Sequence, residues 1–107
     1  METYLSLAIV ILALAVPVPV FADNAANTVE ISGFMYAPDT LTIHAGESVT
    51  WVNHDQDPHT IVGKNNEFHS EALDTNDKFT YTFKKPGTYT YFCTLHPQMT
   101  GTVTVKP

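Results

Sequence analysis

A chain of 107 residues with 11 carboxylates and only five basic side chains, all lysine, carries a formal charge of −6. That length holds one small domain, and so acidic a surface excludes nucleic acid, whose phosphates it would repel. The single cysteine excludes an internal disulfide, so the fold must rest on its apolar core or on a metal.

Residues 1–22 read as a targeting segment. Leu7 to Phe21 is uncharged and rich in Leu, Ile, Val and Ala, and Val20-Phe21-Ala22 before Asp23 offers a small-residue cleavage site. Glu2 stands where basic residues are usual, and Pro17 and Pro19 break the apolar run. The expectation is a signal peptide that is removed, which makes the protein exported, periplasmic in a bacterial setting. The alternative is an uncleaved anchor on the outer face of a membrane, although Leu5 to Val16 falls short of the ~20 apolar residues that span a bilayer. The domain itself is expected over residues 23–107.

After the polar lead Asn24 to Asn27, the chain alternates strand and turn. Val29, Ile31 and Gly33 share one parity, as do Leu41 and Ile43 before the turn Ala45-Gly46-Glu47-Ser48. Val49 and Trp51 alternate with Thr50 and Val52 as far as Asn53. A polar loop, His54 to Pro58, leads into the strand-like His59-Thr60-Ile61-Val62. The segment from Lys64 to Asp77 is polar and reads as a loop with one helical turn around Glu71-Ala72-Leu73. Phe79, Tyr81 and Phe83 then alternate with polar neighbours, and Lys85-Pro86-Gly87 makes a turn. Tyr89, Tyr91 and Cys93 share a face of the next strand, and Val103 and Val105 a face of the last. Period-two alternation with Gly and Pro turns predicts an all-β sandwich whose apolar faces meet between two sheets.

The chemistry concentrates in Tyr91-Phe92-Cys93-Thr94-Leu95-His96-Pro97-Gln98-Met99, a C-x2-H-x2-M cluster. Thiolate, imidazole and thioether within seven residues, with a second imidazole from His59 in Asp57-Pro58-His59-Thr60, make the ligand set of a blue copper site. Two imidazoles and a thiolate with a weak axial thioether suit neither copper(I) nor copper(II) fully, so little moves when an electron arrives or leaves. Cys93, His59 and His96 are the expected strong ligands and Met99 the axial one, for one copper ion alternating between Cu(I) and Cu(II). The spacing of His96 and Met99 weighs against an inert buried thiol at Cys93. Cys93 ends a strand and Met99 nearly begins the next, so their loop lies at one end of the sandwich. Connections gather at sheet ends, which lets His59 meet that loop from far upstream.

Taken with Gly46-Glu47-Ser48-Val49-Thr50-Trp51-Val52-Asn53, Pro58-His59 and Pro86-Gly87-Thr88-Tyr89-Thr90-Tyr91, this cluster resembles the cupredoxins, and within them the amicyanin and plastocyanin group. The likeness runs from about Thr28 to Pro107, and the short His-to-Met gap is amicyanin-like. It implies an eight-stranded, cupredoxin-like Greek-key β-sandwich with copper near one end, and an edge-exposed second histidine, His96, as the electron's exit. The chain departs from the pattern three times. Thr60 stands where the family often has Asn; it still offers a backbone N–H to the sulfur and a hydroxyl to Thr94. Leu95 replaces a frequent proline, and its N–H is expected to donate to the Cys93 thiolate and favour copper(I). Gln98 replaces a frequent aromatic and makes the docking surface more polar.

The partners so implied are a redox-protein donor and acceptor that dock near His96, over the small interface usual for redox encounters. Phe34 and Met35 either add apolar area to that pole or pack inside, packing being the commoner use of methionine. His44, His54 and His69 are expected outside the ligand set, and Trp51, Tyr89 and Tyr91 in the core. Glu67, Glu71, Asp74 and Asp77 form a solvated loop or a patch that steers a basic partner, and Asp55 and Asp57 flank the copper pole. A monomer is the default. A copper carrier or chaperone is the competing function, since the same donors bind copper(I) well. No enzyme is expected: Cys93 and His96 lack an orienting third group, and the spare histidines do not cluster into further copper centres. Zinc is a poor match for a methionine ligand.

Overall fold

The computed structural model describes residues 27–107; the expectations for residues 1–22 lie outside them. Eight strands follow in chain order: β1 (Thr28–Ser32), β2 (Met35–Ala37), β3 (Thr40–His44), β4 (Ser48–Asn53), β5 (Val62–Gly63), β6 (Lys78–Thr82), β7 (Gly87–Phe92) and β8 (Thr100–Lys106). They form two four-stranded sheets, ordered β2-β1-β4-β6 and β3-β8-β7-β5. β1 pairs with β4 and β3 with β8 in parallel, and the other pairs are antiparallel. This is the all-β sandwich that the alternation predicts.

Period-two burial follows the sequence pattern. Val29 and Ile31 on β1, Val49 and Trp51 on β4, and Val103 and Val105 on β8 all face the space between the sheets. Trp51 fills its centre, with Tyr91 edge-on at 5.4 Å and Phe68 stacked at 6.1 Å. Phe83 closes the cluster, edge-on to Phe68 at 5.3 Å. Aromatic side chains of this size supply much of a small core's apolar burial.

Three local expectations change. Gly33 does not continue the first strand: Gly33 and Phe34 both take left-handed φ, +61° and +59°, and turn the chain directly into β2. The strand-like stretch from His59 shortens to Val62–Gly63, with His59 held by an isolated antiparallel bridge to Leu73. No helical turn forms around Glu71-Ala72-Leu73. Phe68 and Leu73 are buried instead, and the segment runs extended beside residues 59–63 through Gly63 N–H to Phe68 O, Ser70 N–H to Ile61 O and Leu73 N–H to His59 O. Two apolar anchors five residues apart, each pairing its backbone, outweigh a weak local helix preference.

The exits of β1, β4 and β7 and the entry of β8 gather at one pole. His54 N–H donates to Ile31 O at 2.8 Å, tying the exit of β4 to β1. Cys93 N–H donates to Met99 O at 3.2 Å, tying the exit of β7 to the approach of β8.

Tyr91 crosses from β7 over Gly101 of β8, its register partner. A Cβ at Gly101 would collide with Cζ and Oη of that ring, which is walled in by Trp51 and Tyr36. Gly101→Ala therefore lowers the unfolding free energy by about 1–3 kcal/mol, the usual cost of overpacking. The check is the urea midpoint at unchanged slope.

Candidate metal centre

His59 reaches the pole from a backbone clamped on both sides. Its N–H donates to Leu73 O at 3.1 Å and its carbonyl accepts Leu73 N–H at 2.8 Å. Asn53, fully buried at the end of β4, braces the same segment by donating Nδ2–H to Asp57 O (2.9 Å) and Leu73 O (2.8 Å). The imidazole itself is 0% exposed. Its Nε2 lies 2.8 Å from Oδ2 of Asp55, so the proton sits on Nε2 and the Nδ1 lone pair is left for a metal.

Nδ1 of His59 and Nδ1 of His96 each lie 3.8 Å from Sγ of Cys93. The donor atoms of these three residues fall within 4.8 Å of one another. Among the described residues this is the one His, Cys and carboxylate group placed to hold a metal. Met99 is 2% exposed, and its N–H donates to His96 O at 2.9 Å, closing the loop on itself. All four residues singled out in the sequence thus lie on the same braced pole.

Thr60 joins the two halves of the centre. Its N–H donates to Cys93 Sγ at 3.4 Å, and its hydroxyl shares a 2.8 Å hydrogen bond with that of Thr94. Thr94 N–H donates back to Thr60 Oγ1 at 2.8 Å. Both contacts expected of Thr60 are present. Burial pushes the Cys93 thiol up, but hydrogen bonds to the sulfur, the Thr60 N–H foremost and the Leu95 N–H a smaller one, bring it down to about 6. A thiolate at neutral pH is the form that binds metal.

Asp55, expected only to flank the pole, is its hub. Its carboxylate accepts Gly33 N–H (2.8 Å) and Phe34 N–H (3.0 Å) as well as His59 Nε2–H. Partial burial opposes ionisation, and these donors outweigh it and hold the carboxyl below its usual range. The turn fixed in this way lays the Phe34 ring edge-on against His59 at 5.3 Å and His96 at 5.0 Å. Phe34 is 42% exposed, Leu95 50% and Met35 65%. Met35 is therefore not a packing residue. His44 pairs with Glu47 and His54 with Glu30, His69 joins a backbone bridge to Val62, and none of the three reaches the centre.

A thiolate, two imidazoles and a buried thioether on this frame fit copper, and the thioether argues against zinc. The sequence matches the family model described as a cupredoxin-like domain over residues 5–105. It is 37% identical over 86 residues to amicyanin of Paracoccus versutus, spanning 76% of this chain and 65% of that protein. It is 40% identical over 85 residues to plastocyanin of Scenedesmus fuscus, spanning 67% of this chain and 87% of that one. Among solved structures, a purple cupredoxin from Nitrosopumilus maritimus superposes with a TM-score of 0.69 at 34% identity, covering 74% of this chain and 98% of its own. A reduced amicyanin variant superposes at 0.68 and 31% identity, covering 74% and 80%.

Removing the hub frees three donors at once. Asp55→Ala is expected to weaken copper binding by about 10–100-fold, the range for a lost partner of a ligating histidine. Competition with a chelator of known affinity measures it. In the metal-free protein, the Gly33 and Phe34 amides should also lose hydrogen-exchange protection.

Proposed function

This chain belongs to the cupredoxin-like family, and we propose that it is an exported electron carrier using His59, Cys93, His96 and Met99 as the ligands of one copper ion. The observation that carries the reading is the convergence of His59, Cys93 and His96 within 4.8 Å on hydrogen-bonded backbone from two distant segments. Copper bound there supplies a one-electron couple, and the residues around it supply stiffness, insulation and an exit. Thr60 and the Cys93–Met99 loop fix the thiolate, and Asp55 fixes His59. Donors that cannot relax change little between oxidation states, which keeps electron transfer fast.

His96 is half-buried and sits between exposed Leu95 and Pro97, with the Phe34 ring in edge-on contact. This apolar rim around one imidazole edge suits brief contact with a redox protein, as donor and as acceptor in turn. Gln98 beside it adds a polar edge. The braced loop speaks against the carrier reading, because ligands that hand copper over must open. No substrate chemistry is assigned to the chain.

The test is an optical spectrum of the protein with one equivalent of copper(II), before and after mild reductant. An intense blue thiolate-to-copper band that bleaches and returns on reoxidation is expected. A colourless protein that binds copper(I) alone and passes it rapidly to a chelator would favour the carrier. Leu95 offers a finer check. Leu95→Pro removes an N–H that stabilises the Cys93 thiolate, and the reduction potential is expected to fall; voltammetry showing no change would remove that role.

A further inference from the structure

Met35 has the largest fractional exposure of the big apolar side chains among the described residues, 65%, on a strand where its neighbour Tyr36 is buried. A groove of about 230 Å³ explains where it stands. Met35 lines it together with Phe34, Asp39, Gln98 and Met99. Met99, otherwise buried, also lines it, so the groove borders the residue proposed above as the thioether ligand. The Phe34 ring that borders it also packs on His59 and His96. One groove therefore gathers the exposed Met35, the Asp39 side chain and the buried Met99, beside the Phe34 ring that packs on two of the proposed ligands.

That order of donors has a chemical meaning. Thioethers select soft copper(I) over the hard cations that outnumber it, and a carboxylate in a chain of net charge −6 draws cations without choosing among them. We propose that this groove is the entry port for copper(I), with Met35 as its first ligand and Met99 as its second. The inference rests on the copper-site reading above and extends it to the residue outside the ligand set. The step is ligand exchange: each thioether replaces a ligand of the incoming ion, the metal stays copper(I), and no electron is transferred. It also accounts for a methionine held in water, where leucine or lysine would serve a bare surface equally well.

Met35→Leu keeps size and apolarity and removes the sulfur. The metal-free full chain and this variant are mixed with copper(I) held by a coloured chelator, and separately with a copper(II) glycinate complex. Loading is followed by the loss of chelate colour and, after oxidation, by the blue band. Met35→Leu is expected to take up copper(I) about ten-fold more slowly, a loss typical of removing a contact near a metal site. Copper(II) uptake and the final blue band should match the parent. Equal copper(I) rates with a normal band overturn the port alone, and so does equal slowing with both ions. A parent protein that never turns blue overturns the copper-site reading and the port with it. Silver(I), soft and redox-inert, adds a second readout: one equivalent given to the copper(I)-loaded protein should shift the Met35 ε-methyl resonance, and an unmoved resonance counts against the port.

Discussion

The hydrogen bonds between Thr60 and the Cys93–Thr94 pair join segments 34 residues apart, and the geometry of the pole follows from them. Without that link, the loop carrying His59 and the loop carrying Cys93, His96 and Met99 would be neighbours by topology only. A hydrogen bond to a charged group contributes about 1.5–3 kcal/mol, and the Thr60 N–H meets a thiolate. The same contact helps to hold the thiol ionised at neutral pH, so one residue both positions the sulfur and prepares it. The two threonine hydroxyls also satisfy each other, which spares a partly buried pole an unpaired polar atom.

Asp55 extends this logic to the first strand connection. A non-glycine residue in the left-handed region costs roughly 1–2 kcal/mol, and Phe34 adopts it. Two backbone N–H groups donating to one carboxylate contribute roughly 1.5–3 kcal/mol each, so the strain is held with margin. What the strained turn achieves is the placement of an aromatic ring against both imidazoles. Asp55 thus acts on His59 directly through Nε2 and on His96 at second hand, through Phe34. A loop, a strand connection and the Cys-to-Met segment become one stiff unit.

The candidate donor cluster was legible because most of its chemistry is local. Cys93, His96 and Met99 fall within seven residues, a spacing that weighs against an inert buried thiol. The strands were legible for the same reason, since period two is a property of neighbours. Asp55 was not, because its meaning lies in bonds to residues 21 and 22 positions away as well as to His59. An Asp four residues before a candidate ligand is the faint signal it leaves. The left-handed turn at Gly33-Phe34 and the short β2 were hidden by an alternation whose parity continues to Gly33. The Lys64–Asp77 segment misled because its polar composition outnumbers Phe68 and Leu73, the two residues that decide its course.

Rigidity that favours electron transfer works against acquiring the metal. The Cys93–Met99 loop is closed by its own backbone hydrogen bonds, His59 is enclosed and clamped to Leu73, and opening either would break the Thr60 link. A metal entering through the loop would have to undo the interactions that make the site stiff. Entry beside Met99 would avoid this, because a thioether would be the weakest of the four proposed ligands. The β1–β2 turn serves both ends: Phe34 braces the histidines, and Met35, the next residue, stands at the groove. Of the proposed donors, His59 and Cys93 are enclosed and tied by hydrogen bonds, His96 stands half-buried at the rim, and Met99 borders the groove.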